Sequence, residues 1–140
     1  MASVVIDTNI IVAAVRSSQG ASARILELVD SGLFQINISV ALALEYESVL
    51  KRDEFHDIIT QDEATELVGF LCASSRRCNN LVRWRPLALD ARDEMVAELA
   101  INSSSDYLIT HNLRHFPTLD AFGVRVVTPG RFLGILRGRP

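Results

Sequence analysis

The stretch VVIDTNIIVAAV, residues 4–15, joins a β-branched apolar run to a carboxylate and then to apolar residues at helical spacing. Residues 3–7 read as a first strand, and Thr8 to Arg16, with Ile11, Val12 and Val15 on one face, as a short helix. That order delivers Asp7 to the C-terminal end of a strand. In open α/β sheets ligands bind in the crevice beyond those ends. Aspartate is also a good helix N-cap, so Asp7 alone divides evenly between capping and chemistry.

Working outward, the same alternation continues. Ser22 or Gly20 opens a second helix that Ser31-Gly32 stops, and Phe34 to Ile38 alternates as a strand. Ser39 caps a helix running to about Arg52. Thr60 and Glu63 form a capping box ahead of a helix that reaches Ser74-Ser75. Leu81-Val82 with Trp84 reads as a short strand closed by Pro86. Asp90 caps the next helix, whose face is Met95, Val96, Leu99 and Ala100. Tyr107 to Ile109 and Val124 to Val127 are two more strands, and Thr128-Pro129 opens a last helix through Phe132 to Leu136. Strands alternating with helices along the whole chain predict an α/β fold, three layers deep, with a central, mostly parallel sheet. Residues 1–140 are expected to form one domain, long enough to bury roughly two thirds of its unfolded surface.

Composition narrows the class. Apolar residues make up 49% and charged residues 22%, ordinary for a globular domain and wrong for a disordered chain. No apolar run is long enough to span a bilayer, and Met-Ala-Ser leads straight into a strand, so neither a membrane segment nor a signal peptide is expected. Cys72 and Cys78 fit no zinc or disulfide spacing and suit a reducing, cytoplasmic setting. The net charge of −3 argues against a wholly basic, nonspecific nucleic-acid binder. The cations are thirteen arginines and the single Lys51. Arg76, Arg77, Arg83 and Arg85 flank Trp84, and Arg125, Arg131, Arg137 and Arg139 follow Asp120 with no acid among them. Either cluster suits phosphates, or the enrichment reflects only a GC-rich genome.

The carboxylates separate by position. Glu45 shares a helical stripe with Ala41, Leu42 and Val49 and is expected to point inward, whereas Glu47 pairs with Lys51 four residues on. A buried carboxylate needs a partner: a metal ion, or an arginine such as Arg52 or Arg92. Asp93 lies in the first turn of its helix at the edge of the apolar stripe, where the dipole favours an anion. Asp106 starts a strand and belongs at the opposite end of the sheet from Asp7. Thr110-His111-Asn112 follows a strand and falls at the same end as Asp7, so Thr110 and Asn112 are placed to orient it. Asp7, Glu45 and Asp93 converging on one spot would repel one another unless a cation held them. His111 and His115 are four apart but have no third ligand at zinc spacing.

In order and spacing, VVIDTNIIVAAV, ISVALALEYESVL, LALDARDEMVAELA, SSSDYLITHNLRHF and VRVVTPGRFL resemble the PIN-domain (PilT N-terminus) nucleases over nearly the whole chain. The likeness is to the bacterial branch of toxins in toxin–antitoxin pairs. It implies a Mg²⁺- or Mn²⁺-dependent endoribonuclease with Asp7, Glu45 and Asp93 as catalytic and metal-binding acids. Thr8 or Asn9, and Thr110 and Asn112, are implied as assisting residues. RNA, an antitoxin and a second copy of the chain are the implied partners. Many relatives carry a further acid where this chain has His115, which puts a second metal in doubt and makes imidazole, better suited to Mn²⁺, an assisting group there. The alternative is a weakly active or inactive PIN-like module that binds RNA or protein. A phosphotransfer domain fits poorly, because Asn9 stands where its second acid would be and Lys51 is mid-helix.

Overall fold

The computed structural model describes residues 1–79 and 89–138. Among the described residues five parallel strands form one sheet: β1 (Ala2–Ile6), β2 (Phe34–Ile38), β3 (Ser75–Arg77), β4 (Tyr107–Ile109) and β5 (Arg125–Val127), in the order β3-β2-β1-β4-β5. Six α-helices among the same residues connect or follow them: α1 (Thr8–Arg16), α2 (Ala21–Glu27), α3 (Val40–Leu50), α4 (Gln61–Ala73), α5 (Ala91–Asn102) and α6 (Pro129–Leu136). Val4, Val5 and Ile6 are all fully buried. Successive strand residues face opposite ways, so helices cover both faces of the sheet, as a parallel sheet requires. The α/β expectation holds.

Most helix starts follow the caps read from the sequence. Ser39 Oγ accepts the Leu42 N–H at 3.1 Å, Thr60 and Glu63 form the capping box, and Asp90 Oδ1 accepts the Asp93 N–H at 2.9 Å. Between β2 and β1 the polar residue Asn37, wholly buried, donates to Ser105 Oγ at 2.8 Å and accepts from Arg76 Nε at 3.1 Å. Arg76 Nη2 also donates to the Ser103 carbonyl at 2.9 Å. Arg76 therefore anchors the edge strand β3 and is not a free phosphate ligand. β3 is where the sequence reading needs correcting: α4 ends at Ala73, and Ser75, taken as helix end, and Arg76 and Arg77, taken as basic patch, pair with Ile36 to Ile38. The strand expected at Leu81–Pro86 lies outside the described residues, as do Arg83, Trp84 and Arg85.

The strand order fixes where a site can form. From β1 the chain steps outward through β2 to β3, then returns to the other side of β1 for β4 and β5. Beyond the tips of β1 and β4 the connections diverge, which opens the crevice in which such sheets bind ligands. Asp7 and Thr110 are the residues directly after those two strands. Asp106 lies at the other end, where its Oδ2 accepts the Ser3 N–H at 2.8 Å.

Candidate active site

Asp7 is held from three directions. Its Oδ1 accepts the Thr8 N–H at 2.8 Å, and its Oδ2 accepts Thr110 Oγ1 at 2.8 Å and Asn9 Nδ2 at 3.4 Å. Asn9 Nδ2 also reaches Thr110 Oγ1 at 3.2 Å, while its Oδ1 accepts the His111 N–H at 3.3 Å. Asn112 donates its backbone N–H to Thr110 Oγ1 at 3.0 Å. Thr110 Oγ1 thus touches Asp7, Asn9 and the backbone of Asn112 at once. Beneath, the buried Tyr46 of α3 donates its hydroxyl to the Ile6 carbonyl and ties α3 to the residue before Asp7. Burial, then the charge of Asp7, pushes the Tyr46 phenol well above its usual range, so it stays a donor.

Electrostatically the cluster is short of positive charge. Burial lifts the Asp7 carboxyl above its usual range; hydrogen bonds from Thr110 and Thr8 and the nearness of His115 oppose this, and the charge of Glu45 adds to it. Asp93 is also raised, first by desolvation, then by Asp90, with Asp7 adding and His115 opposing. Asp90 itself is lowered, chiefly by the Asp93 N–H it accepts. Each of these shifts has an ordinary cause.

Asp7, Thr8, Asn9, Asp90, Asp93, Asn112 and His115 line a cleft of about 290 Å³, together with Arg16, Arg52, Arg92, Glu54, Phe55, Val12 and Val49. Asp93 Oδ2 lies 3.2 Å from His115 Nδ1. Glu45 is largely buried, as its stripe predicted, but its Oε2 faces Arg92 Nε at 3.2 Å and it does not line the cleft. Arg92 is one of the two arginines that the sequence offered as its partner. The Glu47–Lys51 pair forms as expected, at 3.3 Å. His111 turns away from His115 to Ser22 Oγ, at 3.3 Å. The sequence did not single out Arg16, and it named Arg52 only as a possible partner for Glu45; the fold brings both to the cleft.

Among the described residues no three His, Cys, Asp or Glu side chains are already gathered at metal-binding spacing, and two of the acids face Arg92 and His115. The donor chemistry nonetheless fits a hard divalent cation. Its carboxylates are hard oxygen donors of the kind Mg²⁺ and Mn²⁺ take. The raised Asp7 and Asp93 carboxyls would be relieved by added positive charge. Thr8 Oγ1, buried in the cleft wall without a hydrogen-bond partner, is a further oxygen for an ion or its water.

A PIN-domain family profile matches residues 3–114. The chain belongs to the PIN-domain family, whose members are in general nucleases. No functionally curated protein matches it. Among solved structures it is similar to VapBC2 from Rickettsia felis bound to a DNA fragment from their promoter, at 15% identity and a TM-score of 0.61, covering 90% of this chain and 98% of that one. It is also similar to PAE2754 from Pyrobaculum aerophilum, at 12% identity and a TM-score of 0.60, covering 98% of this chain and 90% of that one. Those two likenesses are likenesses of fold. No helix among the described residues is long and apolar enough to cross a membrane.

Proposed function

We propose that this chain is a Mg²⁺- or Mn²⁺-dependent endoribonuclease, with Asp7, Glu45 and Asp93 as its metal-binding acids, acting as the toxin of a toxin–antitoxin pair in the cytoplasm. The observation that carries the chemistry is Asp7: a carboxylate almost fully buried at the sheet's switch point, fixed by Thr110, Thr8 and Asn9, and still short of positive charge. The family match supports the nuclease class, and the Rickettsia felis likeness supports an antitoxin partner.

A divalent cation at these acids would supply positive charge to the scissile phosphate and make water a stronger nucleophile at neutral pH. Thr110 and Asn9 keep the Asp7 oxygens fixed, so little reorganisation is needed when the substrate arrives. To hold the ion together with Asp7, Glu45 and Asp93 would exchange Arg92 and His115 for it. His115, once released, would donate a hydrogen bond to the departing oxygen. Asp7→Asn should abolish cleavage of RNA and keep the fold, whereas an equally active variant in Mn²⁺ buffer would refute the assignment.

The Arg92–Glu45 and His115–Asp93 contacts also favour a second possibility, a module that binds RNA or protein without cutting, since two of the acids already have protein partners. A ligand that binds only the native state raises stability by RT ln(1 + [L]/Kd). Thermal unfolding in millimolar Mn²⁺ separates the two: a raised midpoint supports the nuclease, no shift the binding module.

A further inference from the structure

Three arginines line the cleft, and they are not equivalent. Arg92 is engaged by Glu45. Arg16, the last residue of α1, lays its guanidinium over the buried ring of Phe55, 4.8 Å from the centroid. Arg52 precedes the short 3₁₀ turn Asp53–Phe55, and its carbonyl accepts the Phe55 N–H at 3.0 Å. Among the described residues neither Arg16 nor Arg52 forms an ion pair with a carboxylate, and both are exposed. A stacked guanidinium keeps its N–H edge free and has already lost much of its rotamer freedom. Asp7, Asp90 and Asp93 would repel a phosphodiester backbone without a cation, and the chain as a whole is negative. A bound cation would hold only the scissile phosphate, so attraction for the flanking ones must come from the arginines.

We propose that Arg16 and Arg52 are positioning residues forming a two-point clamp on phosphates that flank the scissile one, so that a single RNA strand crosses from Asp7 toward the Phe55 shelf. The proposal rests on the nuclease assignment above and adds the strand's path and the two side chains that guide it. A recess of about 290 Å³ is at the small end of the range for ligand pockets. Asp7 lies at its floor, only 7% exposed. A flexible single strand can lower one phosphate into it, while a rigid paired helix presents its backbone on a surface too broad to enter.

The test is the salt dependence of cleavage of a single-stranded oligoribonucleotide in Mn²⁺ by the wild type, Arg16→Gln, Arg52→Gln and the double variant. Each single change should raise KM several-fold with kcat within about two-fold. Each should also flatten the slope of log(kcat/KM) against log salt by about 0.7, the value per phosphate contact on a single strand. Arg16→Lys, which keeps charge but loses the planar stack, should fall between wild type and Arg16→Gln. Arg24→Gln, on an exposed arginine of α2 that pairs with Glu27 outside the cleft, should change neither KM nor slope. Unchanged KM in both cleft variants, a fall in kcat alone, or an equal effect from Arg24→Gln would overturn the clamp while leaving the nuclease assignment standing. Equal cleavage of a duplex with the same loss of slope would overturn the single-strand path. A wild type that cuts no RNA would remove the nuclease assignment and the clamp with it.

Discussion

Replacing Thr110 by valine keeps the shape of a fully buried side chain and deletes one oxygen. That oxygen donates to Asp7 Oδ2 at 2.8 Å and accepts from Asn9 Nδ2 and the Asn112 N–H. Losing a hydrogen bond to a charged group costs about 1.5–3 kcal/mol, and the two stranded donors lie where water can replace part of the loss. We therefore expect Thr110→Val to destabilise by roughly 2–3 kcal/mol at neutral pH. For a chain of this length that is a fall of roughly 6–12 °C in Tm. The pH dependence identifies the cause. Burial already places the folded pKa of Asp7 above its ordinary 3.8, and the Thr110 bond opposes that rise. The variant's folded pKa is higher still, so its native state binds the Asp7 proton to higher pH than the wild type's. The gap between the two proteins is complete above the variant's folded pKa. It closes as pH falls from there to the wild type's folded pKa, which lies above 3.8, leaving the packing difference and the lost acceptor of the Asn112 N–H. Urea unfolding across that window measures it. A penalty under about 0.5 kcal/mol at neutral pH, or one that stays constant down to acid pH, would show that Thr110 does not serve the Asp7 charge.

Three further outcomes follow from contacts already described. His115→Asp places a carboxylate beside Asp93 in place of imidazole and should raise Mg²⁺-supported cleavage; a drop would give His115 a role of its own. Arg92→Gln frees Glu45 and should tighten Mn²⁺ binding by calorimetry. Because Arg92 is more than half exposed, the lost pair should change stability by less than about 1 kcal/mol. Ser39→Ala removes the α3 cap and should cost about 1 kcal/mol in chemical denaturation, with metal affinity unchanged.

The parts of this molecule that sequence revealed are those governed by local chemistry. Caps at Ser39, Thr60, Asp90 and Thr128 announced four helices, because a side-chain oxygen accepting a nearby N–H leaves a short signature. Apolar runs announced β1, β2, β4 and β5. The position of Asp7 after a strand, and of Thr110 after another, told that they share an end of the sheet. β3 escaped because Ser75-Arg76-Arg77 has no apolar alternation; its place is fixed by Arg76 reaching Asn37, 39 residues away. Glu45 shows the same limit in the site. Helical periodicity said that it points inward and named two arginine partners, but only tertiary geometry selects Arg92. The Arg16–Phe55 stack joins the end of one helix to a turn after another, and no periodicity signals it.

The register of the central strand has a consequence for how this protein comes into being. Val4 pairs with Tyr107, and Asp7 takes its hydroxyl donor from a residue 103 positions later. At synthesis rates of about 5–20 residues per second, the first strand waits roughly 5–20 s for its second neighbour. Until then Asp7 lacks its Thr110 donor, and β1 keeps one edge open. A ribosome making this chain thus carries Asp7 without its hydroxyl donor for 103 residues, and closure of the sheet is the step that fixes the carboxylate.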